Sequence, residues 1–325
     1  MLAVLQTLLF VLAVAALIVL PYAFFKNASN TKFKTELMRD RRLAQERVGQ
    51  PTKILTKDDI KNLPPSVQRH LQVNGAIGSE VNVPLATSIE LHSKDVQFFQ
   101  SRDKKPLDLH YSLFLFAPEI ARLVYIKASV GTIPYEGYER LTSDGFSVTG
   151  SARKIIPFFN QGADETLKSQ LASYLAYSIH LPNSLLSEHI SLEQSGENQV
   201  KGKISYGGTS VNGIFTFDKE SGLLTTFRSS DCTYFDFKGN AHQLDWSLQF
   251  EDYQVRRSVL FPDSVKAVWH DFDSEDFIYF IAKKFSSLLK TAGGIRSESL
   301  SRAEKKEYTQ LLPWEAPSRK QKASL

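Results

Sequence analysis

Seven histidines, one cysteine and one run of carboxylates are the residues of this 325-residue chain whose types and spacing could do chemistry. The histidines stand at 70, 92, 110, 180, 189, 242 and 270. No two of them are four apart, so the helical ligand spacing of a zinc site is missing. His180 and His189 flank one loop and could meet in space, although two solvated loop histidines is the plainer reading. His270-Asp271-Phe272-Asp273-Ser274-Glu275-Asp276 alternates carboxylates that could offer hard oxygens to a calcium ion. The run lacks the glycine and terminal glutamate of an EF-hand loop, and it falls where two strands need a turn; a polar turn is expected. Cys232 stands beside Thr233 and Tyr234 without a basic neighbour, the setting of a structural thiol. There is no serine nucleophile elbow, Walker loop, dinucleotide-binding glycine fingerprint or His-Glu-x-x-His helix. Gly207-Gly208 is a hairpin turn, since no helix follows it. No cofactor and no metal are expected, and catalytic residues cannot be nominated.

The elements that would position any site are mostly strands. Thr56 followed by Asp59 is an N-cap signal for a short helix, and Pro65 or Ser66 opens a second one that Asn74-Gly75 ends. From about Thr87 the apolar period becomes two. Leu107, Leu109, Tyr111, Leu113 and Leu115 describe one strand and Leu123–Ser129 another; Ser143-Asp144-Gly145 marks a tight hairpin. Asp164–Leu186 breaks the pattern: Leu167, Leu171, Tyr174, Leu175 and Ser178 recur at three and four, as in an amphipathic helix stopped by Pro182. A second β run follows, with turns at Gly207-Gly208, Asp218–Gly222 and Lys238-Gly239-Asn240. Leu224–Phe237 reads as one long strand, and Leu244, Trp246, Leu248 and Phe250 alternate with Asp245, Ser247, Gln249 and Glu251. Val265, Ala267 and Trp269, then Phe277–Phe285, close the set. The fold class expected is mainly β (α+β): a curved antiparallel sheet or half-barrel meander, with the one long helix against its concave face.

The ends of the chain have a different character. Met1–Phe25 holds no charged residue and is long enough to cross a hydrocarbon core of about 30 Å. It has no basic residue ahead of it, and Pro21-Tyr22-Ala23-Phe24-Phe25 is a poor cleavage site, so an uncleaved transmembrane anchor is expected. Lys26, Lys32, Lys34, Arg39, Arg41, Arg42 and Arg47 follow it. Juxtamembrane cations stay on the cytoplasmic side, which predicts a single-pass inner-membrane protein with its body in the cytoplasm. The organisation read from the sequence is an anchor at 1–25, a basic stalk at 26–55, one β-rich domain at 56–290 and a basic tail at 291–325. Net charge is only +4 and much of the excess lies at the two ends, so the basic face of a nucleic-acid-binding domain is not supported.

Leu63-Pro64-Pro65, Leu181-Pro182-Asn183 and Val268-Trp269 stand in an order that resembles an uncharacterised bacterial family, domain of unknown function 6544. Leu63-Pro64-Pro65-Ser66-Val67-Gln68-Arg69-His70-Leu71 is similar to its opening. Leu171–Ala176 leading to Leu181-Pro182-Asn183-Ser184-Leu185-Leu186 is similar to its helix and the ending of that helix. Asp252-Tyr253, Leu260-Phe261-Pro262 and Val268-Trp269 resemble its C-terminal β segment. The resemblance covers roughly Leu63 to Phe285. It departs on the helix, where the family tends to carry glutamate, arginine and glutamate and this chain has Gln170, Ser173 and Tyr177; a tryptophan often stands where His180 does. The resemblance implies an N-terminal anchor and the β layout but no reaction.

The leading functional expectation is non-catalytic binding of lipid or another apolar ligand near the membrane, because a curled sheet offers an apolar concave face. The expected lining is Leu171, Leu175, Phe215, Phe217, Leu244, Trp246, Leu248 and Phe250. Each of these would equally serve as ordinary core if the helix plugs the concavity. A solid-cored interaction or scaffold protein of the envelope is the second reading. An enzyme acting through His180, His189 or the acidic turn is the third.

Overall fold

The computed structural model describes residues 33–48, 55–77, 87–130, 133–152, 156–161, 164–235, 240–256, 259–272 and 275–290, together with Leu17, Val19 and Leu20 in helical conformation. The body is dominated by one antiparallel sheet. Its strands are β1 (Ser88–Phe98), β2 (Leu107–Phe116), β3 (Ala121–Val130), β4 (Ile133–Thr142), β5 (Gly145–Ala152), β6 (Ile156–Gln161), β7 (Ile190–Gln194), β8 (Gln199–Tyr206), β9 (Thr209–Phe217), β10 (Leu224–Ser229), β13 (Trp246–Arg256), β14 (Val259–Phe272), β15 (Glu275–Lys283) and β16 (Ser286–Lys290). The spatial order is β6-β5-β4-β3-β2-β1-β15-β14-β13-β10-β9-β8-β7, with β16 also on β1. Two up-and-down meanders thus meet where the first strand pairs with the last two. The two outer strands, β6 and β7, are neighbours in sequence, and the segment joining them is helical. That connection carries α4 (Asp164–Ser178) and α5 (Pro182–Leu185) from one edge of the sheet to the other.

The turns follow from residues that tolerate positive φ. Gly207 and Gly208 have φ of 58° and 80° in the β8–β9 hairpin, the two-residue geometry whose twist matches the flanking strands. Asp59 accepts hydrogen bonds from the Thr56 N–H and hydroxyl, which starts α2 (Lys57–Ile60), and Pro65 opens α3 (Pro65–Val73) at its first position.

Three readings of the sequence are corrected. Leu224–Phe237 is not one strand: it leaves the sheet after Ser229, where Asn212 donates its backbone N–H to Asp231, and β11 (Thr233–Phe235) pairs only with β12 (Ala241–Gln243). The chain therefore forms a small ribbon beside the concavity. The helix predicted over Asp164–Leu186 stops at Ser178, and Pro182 begins α5 instead of ending α4. Nor is α4 amphipathic in its surroundings, since every residue from Gln170 to Ser178 is buried. The helix lies inside the curl of the sheet, so it has no solvent face beyond its first two turns.

The basic segment expected as a stalk contains α1 (33–48), docked on the convex face. Phe33, Leu37 and Ala44 pack with Phe114, Phe116, Leu123, Tyr125 and Tyr138 in a cluster separate from the main core. Those strand residues explain why β2 and β3 are apolar on both faces. Asp40, also buried, accepts from the Tyr138 hydroxyl at 2.9 Å, and Arg41 forks onto the buried Glu90 at 2.8 and 3.1 Å. Among the described residues no helix is long and apolar enough to cross a membrane. Most of Met1–Phe25, and all of 291–325, lie outside the described residues.

Candidate functional site

Helix α4 divides the concavity into a packed half and an open one. On the packed side Leu171 and Leu175 are fully buried in the main core with Val200, Val211, Phe215 and Phe227, residues of β8 to β10. The filling there is tight. A Cβ on Gly213 would fall 2.2 Å from the Phe227 ring, and one on Gly202 2.6 Å from Phe215, so only glycine lets these rings lie flat on the sheet.

On the other side a cavity of about 270 Å³ remains between α4, the ribbon and the sheet. The two-residue period of each strand supplies its wall: Leu109 and Tyr111 from β2, Trp246 and Leu248 from β13, Ala267 and Trp269 from β14. Register places these residues together, since Trp246 pairs with Trp269 and Leu248 with Ala267. Tyr279 stacks on Trp269 with ring centroids 5.7 Å apart and accepts a hydrogen bond from the Trp246 indole at 2.9 Å. The Tyr111 ring meets Phe280 edge-on at 5.1 Å. A shell of interlocked aromatic rings resists collapse, which is how a cavity of this size stays open.

One end of the cavity is polar. Arg122 on β3 is buried; its Nε donates to the Ser173 hydroxyl at 3.1 Å and its Nη1 to Glu139 at 2.7 Å. Burial works against the guanidinium charge, but Glu139 and Tyr111 outweigh it and hold the Arg122 pKa above its ordinary value. The buried Tyr111 phenol is pushed up to about 12 and Tyr177 also well up, so both stay protonated. From α4, Thr166, Ser169, Gln170, Ser173 and Tyr177 reach the cavity, a stripe at helical spacing. Gln170 Nε2 donates to the Ser147 carbonyl at 3.3 Å, whereas Gln170 Oε1 and Thr166 Oγ1 are buried without a partner.

A model of a family of unknown function, DUF6544, matches residues 53–282. The chain belongs to that family. The DUF6544 match spans both meanders and α4. The three helix positions at which this chain departs from the family resemblance, Gln170, Ser173 and Tyr177, all face the cavity. Among solved structures the chain is similar to a LolA superfamily protein from Nitrosomonas europaea, at 8% identity and a TM-score of 0.36, over 69% of this chain and 93% of that one. No curated protein matches it.

The residues expected to line a pocket divide between the two halves. Trp246 and Leu248 are on the cavity wall. Leu171, Leu175, Phe215, Phe217 and Phe250 are buried in the main core away from it, and Leu244 is half-buried beside that core. Sequence reasoning missed Arg122, Glu139 and the Gln170 stripe. A signal for the stripe existed: Thr166, Ser169, Gln170, Ser173 and Tyr177 recur at helical spacing, and Gln170 and Ser173 interrupt the apolar run of the buried half of the helix.

The remaining chemistry-bearing residues resolve plainly. His180 is no solvated loop residue and does not meet His189, whose ring packs on Tyr206 at 5.3 Å. It is buried against His70, Phe250, Phe261 and Tyr253, with ring centroids 5.1–6.1 Å away and neither ring nitrogen partnered. In the acidic turn Glu275 pairs with Arg102 and Asp276 with His270 at 3.0 Å. Among the described residues no group of three metal-ligating side chains is present. Cys232 lines the cavity, but burial drives its thiol pKa far up, which leaves it a poor nucleophile.

Proposed function

We propose that this protein binds a lipid or other molecule with an apolar body at a membrane surface and does no chemistry on it. The observation that carries this reading is the cavity: strands from both meanders supply an aromatic and aliphatic wall, and one end is polar. Pockets for small ligands are of about 300–1,000 Å³, mostly apolar with a few placed polar groups. At about 270 Å³ this one suits a single chain or ring system more than a two-chain lipid. The buried thiol and the paired Arg122 and Glu139 offer no activated nucleophile, which favours binding over catalysis.

The membrane half of the proposal rests on the sequence of Met1–Phe25. A tether there would hold the cavity near lipid and raise its effective concentration. The cations after it favour a body on the cytoplasmic side. The test is to purify the full chain and an Ala267→Phe variant in the same detergent, extract both with solvent and compare them by mass spectrometry. Near-stoichiometric ligand with wild type, absent from a variant of equal melting temperature, is the expected result. Equal content in both, or none in either, would remove the reading.

A further inference from the structure

The polar end of the cavity also specifies what the ligand's head must be, provided that the binding reading above holds. Among the described residues the one cation lining that end, Arg122, is not available to an anion. Its charge is matched by Glu139 at 2.7 Å and its Nε is engaged by Ser173. What the site leaves over includes acceptor capacity. Gln170 Oε1 is buried with no donor, in a side chain only 3% exposed whose amide orientation is set by the Nε2 bond to the Ser147 carbonyl. Thr166 Oγ1, in a residue 5% exposed, lies one turn earlier on the same face of α4 and is likewise without a partner.

A buried acceptor without a donor is costly, and a donor brought by a ligand would recover that cost. A carboxylate or phosphate head would instead place a second anion beside Glu139 and set its lone pairs against Gln170 Oε1, leaving only hydroxyls such as that of Thr166 to donate to it. From this arrangement we propose that the cavity takes an amphipathic molecule whose head is an uncharged or cationic hydrogen-bond donor, an alcohol or an amine, and selects against anionic heads. Gln170 is the residue that makes the selection, with Thr166 in support.

The test uses three probes with one tail and different heads: 1-octanol, octylamine and octanoate. Each is titrated into the full chain in nanodiscs of zwitterionic lipid and followed through the fluorescence of Trp246 and Trp269, in a Trp314→Phe background. Octanol and octylamine are expected to bind about tenfold more tightly than octanoate, the value of one well-made hydrogen bond. Gln170→Leu should reduce that preference several-fold while octanol still binds, and Gln170→Glu should sharpen it for octylamine. Thr166→Val gives a second, smaller reduction and guards against a misfolded Gln170→Leu. Octanoate binding as tightly as octanol, or a preference unchanged in both Gln170→Leu and Thr166→Val, would overturn the head-group assignment and leave the cavity as a binding site. If none of the three probes binds, the binding reading falls and the assignment with it.

Discussion

At the scale of single residues, the buried histidines make the sharpest prediction. Leu224 donates its backbone N–H to His70 Nδ1 at 3.1 Å, and His70 Nε2 lies 3.2 Å from the Asn74 side-chain amide nitrogen. Burial lowers the His70 pKa to about 4, and that of His180 well below its ordinary value. Both therefore fold neutral, whereas the unfolded chain takes up protons near pH 6.5. The unfolded state binds more protons across that window, so stability is full above about pH 6.5 and falls as the pH drops toward 4. His70 alone contributes about 3 kcal/mol to this loss. Thermal melts of the full chain between pH 7 and 4.5 should show the decline. His180 adds to it, yet neither of its nitrogens is partnered and four aromatic rings surround it. His180→Phe should stabilise the protein by about 1–2 kcal/mol at pH 7 and flatten the slope. A lower melting temperature in that variant would show that an ordered water or an unrecognised bond satisfies the ring. The sequence placed His180 in a solvated loop because Pro182 looked like a helix stop. The buried position arises because the turn after α4 packs the ring among His70, Phe250, Tyr253 and Phe261.

Among elements, α1 is the least expected part of the fold. Its residues have a polar, weakly periodic sequence, and the apolar partners that receive it are spread over three strands; no local pattern announces the docking. Two ion pairs on it, one to the sheet and one within the helix, should behave differently. Arg41→Leu removes a hydrogen-bonded cation from Glu90, which is only 1% exposed, and taking one partner from a buried ion pair costs about 3–5 kcal/mol. Arg42→Leu breaks a pair with Glu46 that is mostly in solvent and should change stability by under about 0.5 kcal/mol. Hydrogen exchange across residues 33–48 checks both: strong deprotection in the first variant and none in the second. Similar exchange in the two variants would mean that α1 is held by its apolar face alone. In contrast, the hairpins were legible almost residue by residue. Their turns are fixed by local chemistry, such as Asp144-Gly145 and Gly207-Gly208, and their faces by strict alternation.

For the whole molecule, the decisive fact is that the sheet's two edges are consecutive in sequence and the helix joining them lies within the curl. Alternation in the strands reveals which side chains point inward, and Leu244–Phe250 is read correctly in that sense. It cannot reveal which inward residues meet the helix and which face open space, because that depends on where α4 lies across the sheet. Trp246 and Phe250 share one face of β13, yet only the first reaches the cavity. The polar end was hidden for the same reason: Arg122, Glu139 and Gln170 are far apart in sequence, and only sheet order brings them together. Occupancy of this cavity by an apolar chain is the central claim. Titrating the full chain, in the Trp314→Phe background, with a dodecyl alcohol brominated near its terminal carbon measures it directly, because bromine quenches indole only on close approach. Quenching of Trp246 and Trp269 that saturates near one equivalent, and is abolished by Ala267→Phe, is the predicted result. Unsaturable quenching, or quenching equal in the Ala267→Phe variant, would mean that the space between helix and sheet takes no ligand.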